Sequence, residues 1–151
     1  MANMNITIPG ASKNTGKFVS KDLVAGEYEL NVTSAEWDTS KQATDSKLTL
    51  VVKTTVIEGP NDPDSGKSPA GRKNTIFLSY RFGDDYEDWM KDGDVTMLVQ
   101  LVNALGLKVV KDRLPVADFA GKSFIDDLSY TVPKTEGGKS FAQHKFSAVA
   151  E

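Results

Sequence analysis

The chain has 151 residues, of which 39% are apolar and 26% charged, and it contains no cysteine. This composition predicts one soluble globular domain and excludes disulfides, thiolate metal sites and cysteine nucleophiles. The net charge of -3 argues against the broad basic surface that is usual for a nucleic-acid-binding protein.

The charge is unevenly distributed along the chain. The segment 84–94 carries six acidic residues, whereas Lys67, Arg72, Lys73 and Arg81 lie close together. This uneven charge distribution is consistent with a cationic groove and equally with a surface that is merely solvated. The chain begins without a basic stretch ahead of an apolar one, and no apolar run approaches the about 20 residues of a membrane helix. We therefore expect a cytoplasmic protein with no membrane contact.

Residues 1–22 are polar and predict an extended N-terminal arm, with a short edge strand as an alternative; residues 23–151 form the predicted domain. The first strand spans residues 27–37, in which Tyr28, Leu30 and Val32 alternate inward. Ala35 and Trp37 have the opposite parity, which indicates a β-bulge near residues 33 and 34.

Two further apolar runs, 48–57 and 75–80, show the period of two that is typical of half-buried strands. They are joined by residues 59–71, which contain three prolines and three glycines. That composition excludes a helix and predicts a mobile loop, which we expect to lie beside the cationic surface described next.

If the aliphatic faces of these two strands line one core, their opposite faces form a single surface. Cations that contact phosphates, next to an aromatic ring that stacks on a base, are typical of a surface that binds single-stranded nucleic acid. The candidate phosphate contacts are Lys47, Lys53, Arg72, Lys73 and Arg81, and the candidate stacking rings are Phe77 and Trp37. The alternatives for Phe77 are packing under the 59–71 loop or against a partner subunit. Trp37 and Trp89 are each either a residue of the hydrophobic core or a stacking platform for a base.

Asp94 is a potential N-cap of a helix that continues with apolar residues at helical spacing and ends at Gly106. Two more strands are predicted at 123–132 and 139–149, linked through residues 133–138. The result is a mainly β fold, a five-stranded Greek-key barrel of the OB type with one α-helix between strands 3 and 4. A β-sandwich with an incidental helix is the competing architecture.

Catalytic arrangements are largely excluded by the residues that the chain lacks. His144 is the only histidine, and we interpret it as a partly buried or surface residue of the last strand. The adjacent acids Asp84-Asp85 and Asp126-Asp127 are interpreted as solvated, although the parity of Asp126 turns it inward, so that it is either re-aimed by a bulge or paired. No metal, cofactor or enzymatic activity is predicted.

Several short motifs, in this order, resemble phage-encoded single-stranded-DNA-binding proteins and related phage domains of unknown function. The motifs are Ala25-Gly26-Glu27-Tyr28, Ala35-Glu36-Trp37, the alternating Leu48, Leu50 and Val52, Gly71-Arg72 before Ile76-Phe77-Leu78, residues 101–106, and residues 119–122. The resemblance implies an OB-like fold and sequence-independent coating of single strands during phage DNA replication or recombination.

Many members of that family end in an acidic tail that recruits replication or recombination proteins. The last residues here, Ala148-Val149-Ala150-Glu151, lack such a tail, and the acidic 84–94 segment is the candidate substitute. The sequence also leaves open a homodimer, and a phage protein-interaction or virion accessory role in which the same barrel docks a protein.

Overall fold

The computed structural model describes residues 5–18, 22–133 and 137–150. Parts of the predicted N-terminal arm and of the predicted link at 133–138 lie outside these residues. The strands are β1 (Gly26–Asp38), β2 (Lys47–Glu58), β3 (Lys73–Arg81), β4 (Ser123–Tyr130) and β5 (Ala142–Ser147). The α-helices are α1 (Gln42–Asp45) and α2 (Asp88–Ala104), and 3-10 helices cover Ala11–Lys13 and Val116–Asp118.

The five strands form one sheet in the order β3-β2-β1-β4-β5, and every neighbouring pair is antiparallel. The mainly β fold with five strands, and with a helix between the third and fourth, is therefore confirmed. Because all the described strands belong to one sheet, the two-sheet sandwich is wrong. The short helix α1 between β1 and β2 was not predicted. The sheet is open, with β3 and β5 as its two edges.

The predicted bulge in β1 is present, since the register against β2 shifts between Val32 and Ser34. One extra residue in a strand reverses the side to which the following side chains point. Ala35 therefore packs against the same core as Val32, although it lies an odd number of residues further along the chain. The Thr33 hydroxyl, at the bulge, donates a hydrogen bond of 3.0 Å to the Lys53 carbonyl on β2.

The core draws on all five strands and on α2. Its most deeply buried apolar side chains are Tyr28, Leu30, Val32, Leu50, Val52, Val56, Ile76, Leu101, Val102, Phe119 and Phe124. Each such side chain contributes about 1.5–3 kcal/mol through its removal from water. Helix α2 contacts β3, β4 and β5, and so bridges the two edge strands of the sheet.

Helix α2 begins seven residues earlier than predicted, with Glu87 rather than Asp94 at the N-cap position. Asp94 lies in its second turn and is buried, so the prediction that Asp94 caps the helix is wrong. The predicted end is confirmed: Gly106 has φ 74°, and the N–H of Leu107 donates to the carbonyl of Val102 at 3.0 Å. This left-handed glycine after the last turn satisfies carbonyls that the helix leaves without partners.

The loop at 59–71, whose composition predicted a mobile segment, is folded onto the sheet and is partly buried. Asp62 and Ser65 are buried within it, and one carboxylate oxygen of Asp62 accepts hydrogen bonds of 2.8 Å from both the backbone N–H and the hydroxyl of Ser65. At its start, Gly59 lies so close to the Tyr28 ring that a Cβ there would approach a ring carbon to 2.2 Å. The loop thus covers the Tyr28 end of the core.

The N-terminal residues 5–18 are exposed throughout and contain no strand. Their link to the domain includes the Thr15 hydroxyl, which donates to the Asp64 carbonyl at 2.8 Å. No helix in the described ranges 5–18, 22–133 and 137–150 is long and apolar enough to cross a bilayer.

Candidate nucleic-acid interface

The pairing of β2 with β3 places most of the predicted contact residues on one side of the sheet. Val51 lies opposite Phe77, Lys47 opposite Arg81, and Lys53 opposite Thr75. Residues directly opposite each other in an antiparallel pair share a face. We call the outward surface formed by Lys47, Val51, Lys53, Lys73 and Phe77 the β2–β3 face.

Phe77 is the central ring of the β2–β3 face and is 66% exposed. It does not pack under the 59–71 loop, so that alternative is wrong. Its neighbour across the strands, Val51, is half-buried, while Lys53 and Lys73 are exposed. An exposed ring flanked by exposed cations offers a stacking surface and phosphate partners within one patch.

Arg81 lies at the end of the same face, but its guanidinium is already bound. Its Nε and Nη2 donate to the two carboxylate oxygens of Asp94 at 2.8 Å each, and its backbone N–H donates to the same carboxylate at 2.9 Å. The side chains are 26% and 10% exposed. These hydrogen bonds raise the pKa of Arg81. The arginine ties β3 to α2, and its charge is compensated.

Arg72 and Trp37 are not brought together with Phe77. Arg72 is half-buried ahead of β3 and lies near Tyr28: burial raises the pKa of the Tyr28 hydroxyl, and the Arg72 charge opposes that rise. Trp37 lies opposite Leu50 and packs against the core, on the other side of the sheet from Phe77. The structure therefore places Trp37 with the core residues and apart from Phe77.

Trp37 instead lines an apolar pocket of about 550 Å³ between the sheet and α2. Leu48 and Tyr80 line it from the sheet, Leu98 and Val99 from α2. Trp89, the other tryptophan, is exposed in the first turn of α2 within the acidic segment, so it is not a core residue.

Two acids that the sequence analysis did not single out border the β2–β3 face. Glu36 lies opposite Val51, and Asp38 lies opposite Thr49, both on β1. Both are exposed, so they weaken the positive potential around Lys53. The signal for them was present in the sequence, because the bulge fixes which residues after it point outward.

A groove of about 670 Å³ separates the two edges of the sheet and adjoins the β2–β3 face at Phe77. We call it the β3–β5 groove. Its walls are Phe77, Leu78, Ser79 and Arg81 from β3, Asp94 and Met97 from α2, Asp127 and Ser129 from β4, and residues 142–145 around β5. Helix α2 crosses one end, where Gln100 accepts the Phe146 N–H at 2.9 Å.

His144 in this groove is held by a buried carboxylate. Its Nδ1 lies 2.6 Å from the Asp126 carboxylate oxygen Oδ2, and the two side chains are 16% and 2% exposed. The imidazole also stacks on Phe146 with ring centroids 5.7 Å apart. The prediction of a partly buried strand histidine is confirmed, and of the two alternatives for Asp126 the paired one is correct.

A carboxylate that holds a histidine is the arrangement that the sequence analysis did not find, because the two residues lie on different strands. The inward parity of Asp126 was the available signal. Within the described residues, no serine hydroxyl is hydrogen-bonded to His144, and no group of three or more His, Asp or Glu side chains could hold a metal ion. The pair thus has no hydrogen-bonded nucleophile in this part of the chain.

No protein-family model and no curated protein sequence matches the chain.

Proposed function

We propose that the protein binds single-stranded DNA without sequence preference, using the β2–β3 face. The observation that carries this proposal is the exposed Phe77 ring, which stands among outward-pointing lysines on two paired strands. Stacking on such a ring tolerates every base because every base has a π-face. Lys47, Lys53 and Lys73 supply the charges that neutralise phosphates.

The strand pairing supports an OB-type barrel as the scaffold. In that fold, the outer face of the second and third strands binds oligonucleotides, and the barrel is only partly closed. Here β1 pairs with both β2 and β4, β2 with β3, and β4 with β5. We take the β3–β5 groove as the open seam of the barrel.

The proposed contacts differ from the sequence-based set in three residues. Arg81 is assigned to anchoring α2, since its guanidinium is occupied by Asp94. Trp37 is assigned to the core, and Arg72 to the region around Tyr28. Phe77 and the three lysines Lys47, Lys53 and Lys73 remain.

The biological setting rests on the resemblance to phage single-stranded-DNA-binding proteins. We propose a non-enzymatic role in phage DNA replication or recombination in the cytoplasm of the infected cell. The acidic segment with the exposed Trp89 ring is the proposed contact for a protein partner, because an apolar anchor within a charged rim is a common docking arrangement.

The test compares two exposed aromatic residues in a binding assay with fluorescein-labelled oligo(dT). Replacement Phe77→Ala removes the proposed stacking ring, which contributes about 1–3 kcal/mol per base, so affinity falls by roughly 5- to 150-fold. The control Trp89→Ala removes an exposed ring outside the β2–β3 face and leaves affinity unchanged. Equal affinities of the two variants would refute the assignment of Phe77.

A second candidate function is the docking of a protein partner or virion component. The apolar pocket around Trp37 favours it, because a pocket of about 550 Å³ has the size of a ligand or anchor-residue site. Absence of oligo(dT) binding at low salt would favour this candidate over the first.

A further inference from the structure

The Asp126–His144 pair is a buried polar arrangement that single-strand binding on the β2–β3 face does not use. Asp126 is 2% exposed, and only its Oδ2 atom has a partner, His144 Nδ1. Its second oxygen, Oδ1, is buried without a hydrogen-bond partner in the described residues. A buried carboxylate with one partner depends strongly on that partner, because an uncompensated buried charge is costly.

An ionised Asp126 carboxylate can only accept hydrogen bonds, so Nδ1 of His144 is assigned as the donor in this contact. With Nδ1 donating to the carboxylate, a neutral imidazole has a lone pair on Nε2, which repels a phosphate oxygen. A protonated imidazole carries a hydrogen on both nitrogens, so Nε2 then donates. Protonation thus converts a repulsive contact with phosphate into a charge-assisted hydrogen bond.

The charges around His144 also favour tighter phosphate binding when the imidazole is protonated. The charged groups that line the groove with it are Arg81 on β3, Asp94 on α2, Asp127 on β4 and Lys145 on β5, and Asp126 lies behind it. Arg81 is bound by Asp94, and Lys145 lies opposite Asp127. Two cations therefore face three carboxylates, and the groove carries one net negative charge until His144 is protonated.

The position of the groove connects it to the β2–β3 face. Phe77 belongs to the face and also lines the groove that contains His144. A strand whose base stacks on Phe77 therefore lies beside the groove that His144 lines. Histidine is the side chain whose ordinary charge change falls between pH 5 and 8, so a pH series across this range tests whether such a contact exists.

We propose that His144, positioned by Asp126, is a proton-dependent phosphate contact for the bound single strand, and that its protonation strengthens binding. This inference rests on the proposed function. A hydrogen bond to a charged group contributes enough to change affinity by about tenfold. By linkage, a ligand that prefers the protonated form tenfold raises the titration midpoint of His144 by about one pH unit.

The test uses the unaltered protein, because its single histidine gives one set of imidazole signals in an NMR spectrum. The ring resonance is followed from pH 5 to 8.5 with and without saturating oligo(dT), whose thymines and phosphodiesters do not titrate in this range. We expect the midpoint to rise by about one unit with DNA, and the rise to persist at 200 mM salt as long as the DNA remains bound. A midpoint unchanged by DNA, or a rise that disappears with salt while DNA is still bound, overturns the inference.

A variant provides the second measurement. In His144→Gln, the affinity for oligo(dT) should no longer fall between pH 5.5 and 8, while at pH 8 it should lie within about twofold of the unaltered protein. A pH dependence that persists in this variant overturns the inference. If DNA binds at every pH but the midpoint does not move, the proposed function stands and this inference fails, whereas no binding at any pH refutes both.

Discussion

The anchoring of α2 to the sheet by Asp94 gives a prediction whose size follows from the structure. Asp94 accepts three hydrogen bonds from Arg81, two from the guanidinium and one from the backbone N–H at the end of β3. Replacement Asp94→Ala removes all three acceptors and leaves a half-buried cation beside a helix. We expect a clear loss of stability without a change of fold.

The loss of unfolding free energy in Asp94→Ala has an upper and a lower bound. Removing one partner of a fully buried ion pair costs about 3–5 kcal/mol, whereas an exposed pair contributes at most about 1 kcal/mol. The Arg81 side chain keeps 26% of its exposure, so water can solvate part of the released guanidinium. The expected loss is therefore about 2 kcal/mol, equivalent to roughly 4–8 °C in Tm for a chain of this size.

The assay is urea unfolding followed by circular dichroism, with Asp88→Ala as the control. Asp88 lies on the same helix, but its side chain is 95% exposed and its nearest cation, Lys91, is 3.5 Å away, so its removal should change stability little. If Asp94→Ala is as stable as Asp88→Ala, the assignment of Arg81 and Asp94 as the link between β3 and α2 is refuted.

Three further results are expected. Replacement Gly59→Ala forces a Cβ against the buried Tyr28 ring and should destabilise the protein by about 1–3 kcal/mol in thermal unfolding; unchanged stability would show that the loop does not pack there. Burial raises the pKa of Tyr28 and of Tyr130, so their contribution to stability is complete below about pH 10 and is lost as pH rises through the folded pKa values. Urea unfolding at alkaline pH should show this loss of stability, and the loss should be smaller in the variant Tyr28→Phe. Replacement Lys53→Gln should reduce the salt slope of oligo(dT) binding by about 0.7, whereas Arg81→Gln should reduce it less, and equal slopes would contradict the occupied state of Arg81.

The β2–β3 face could be predicted because its signal is local. Alternation with a period of two fixes which side chains share a face within one strand, and two adjacent strands with a connecting loop form an antiparallel pair readily. The bulge in β1 followed from the same rule, since Ala35 and Trp37 break the alternation of Tyr28 and Leu30. That bulge already places Trp37 on the core side, so the sequence itself contained the reason against its selection as a stacking ring.

Features that depend on contacts between distant segments could not be predicted. The Asp126–His144 pair joins residues 18 positions apart on different strands, and no spacing rule links them. The ion pair between Arg81 and Asp94 is a similar case. An aspartate ahead of an apolar helical stripe has the pattern of an N-cap, and only the packing of α2 against β3 brings its carboxylate to Arg81 instead. The 59–71 loop has the composition of a mobile segment, but its buried Asp62 and Ser65 form a local fold that composition does not reveal.

The central claim is that the β2–β3 face holds a single strand of DNA, and the most direct measurement is fluorescence anisotropy of labelled oligo(dT) with the intact protein at 50 and 200 mM salt. Three phosphate contacts through Lys47, Lys53 and Lys73 predict a slope of about -2 in log affinity against log salt, which is a loss of about 20-fold over this range. No binding at micromolar protein in 50 mM salt, or an affinity that salt does not change, would contradict the claim.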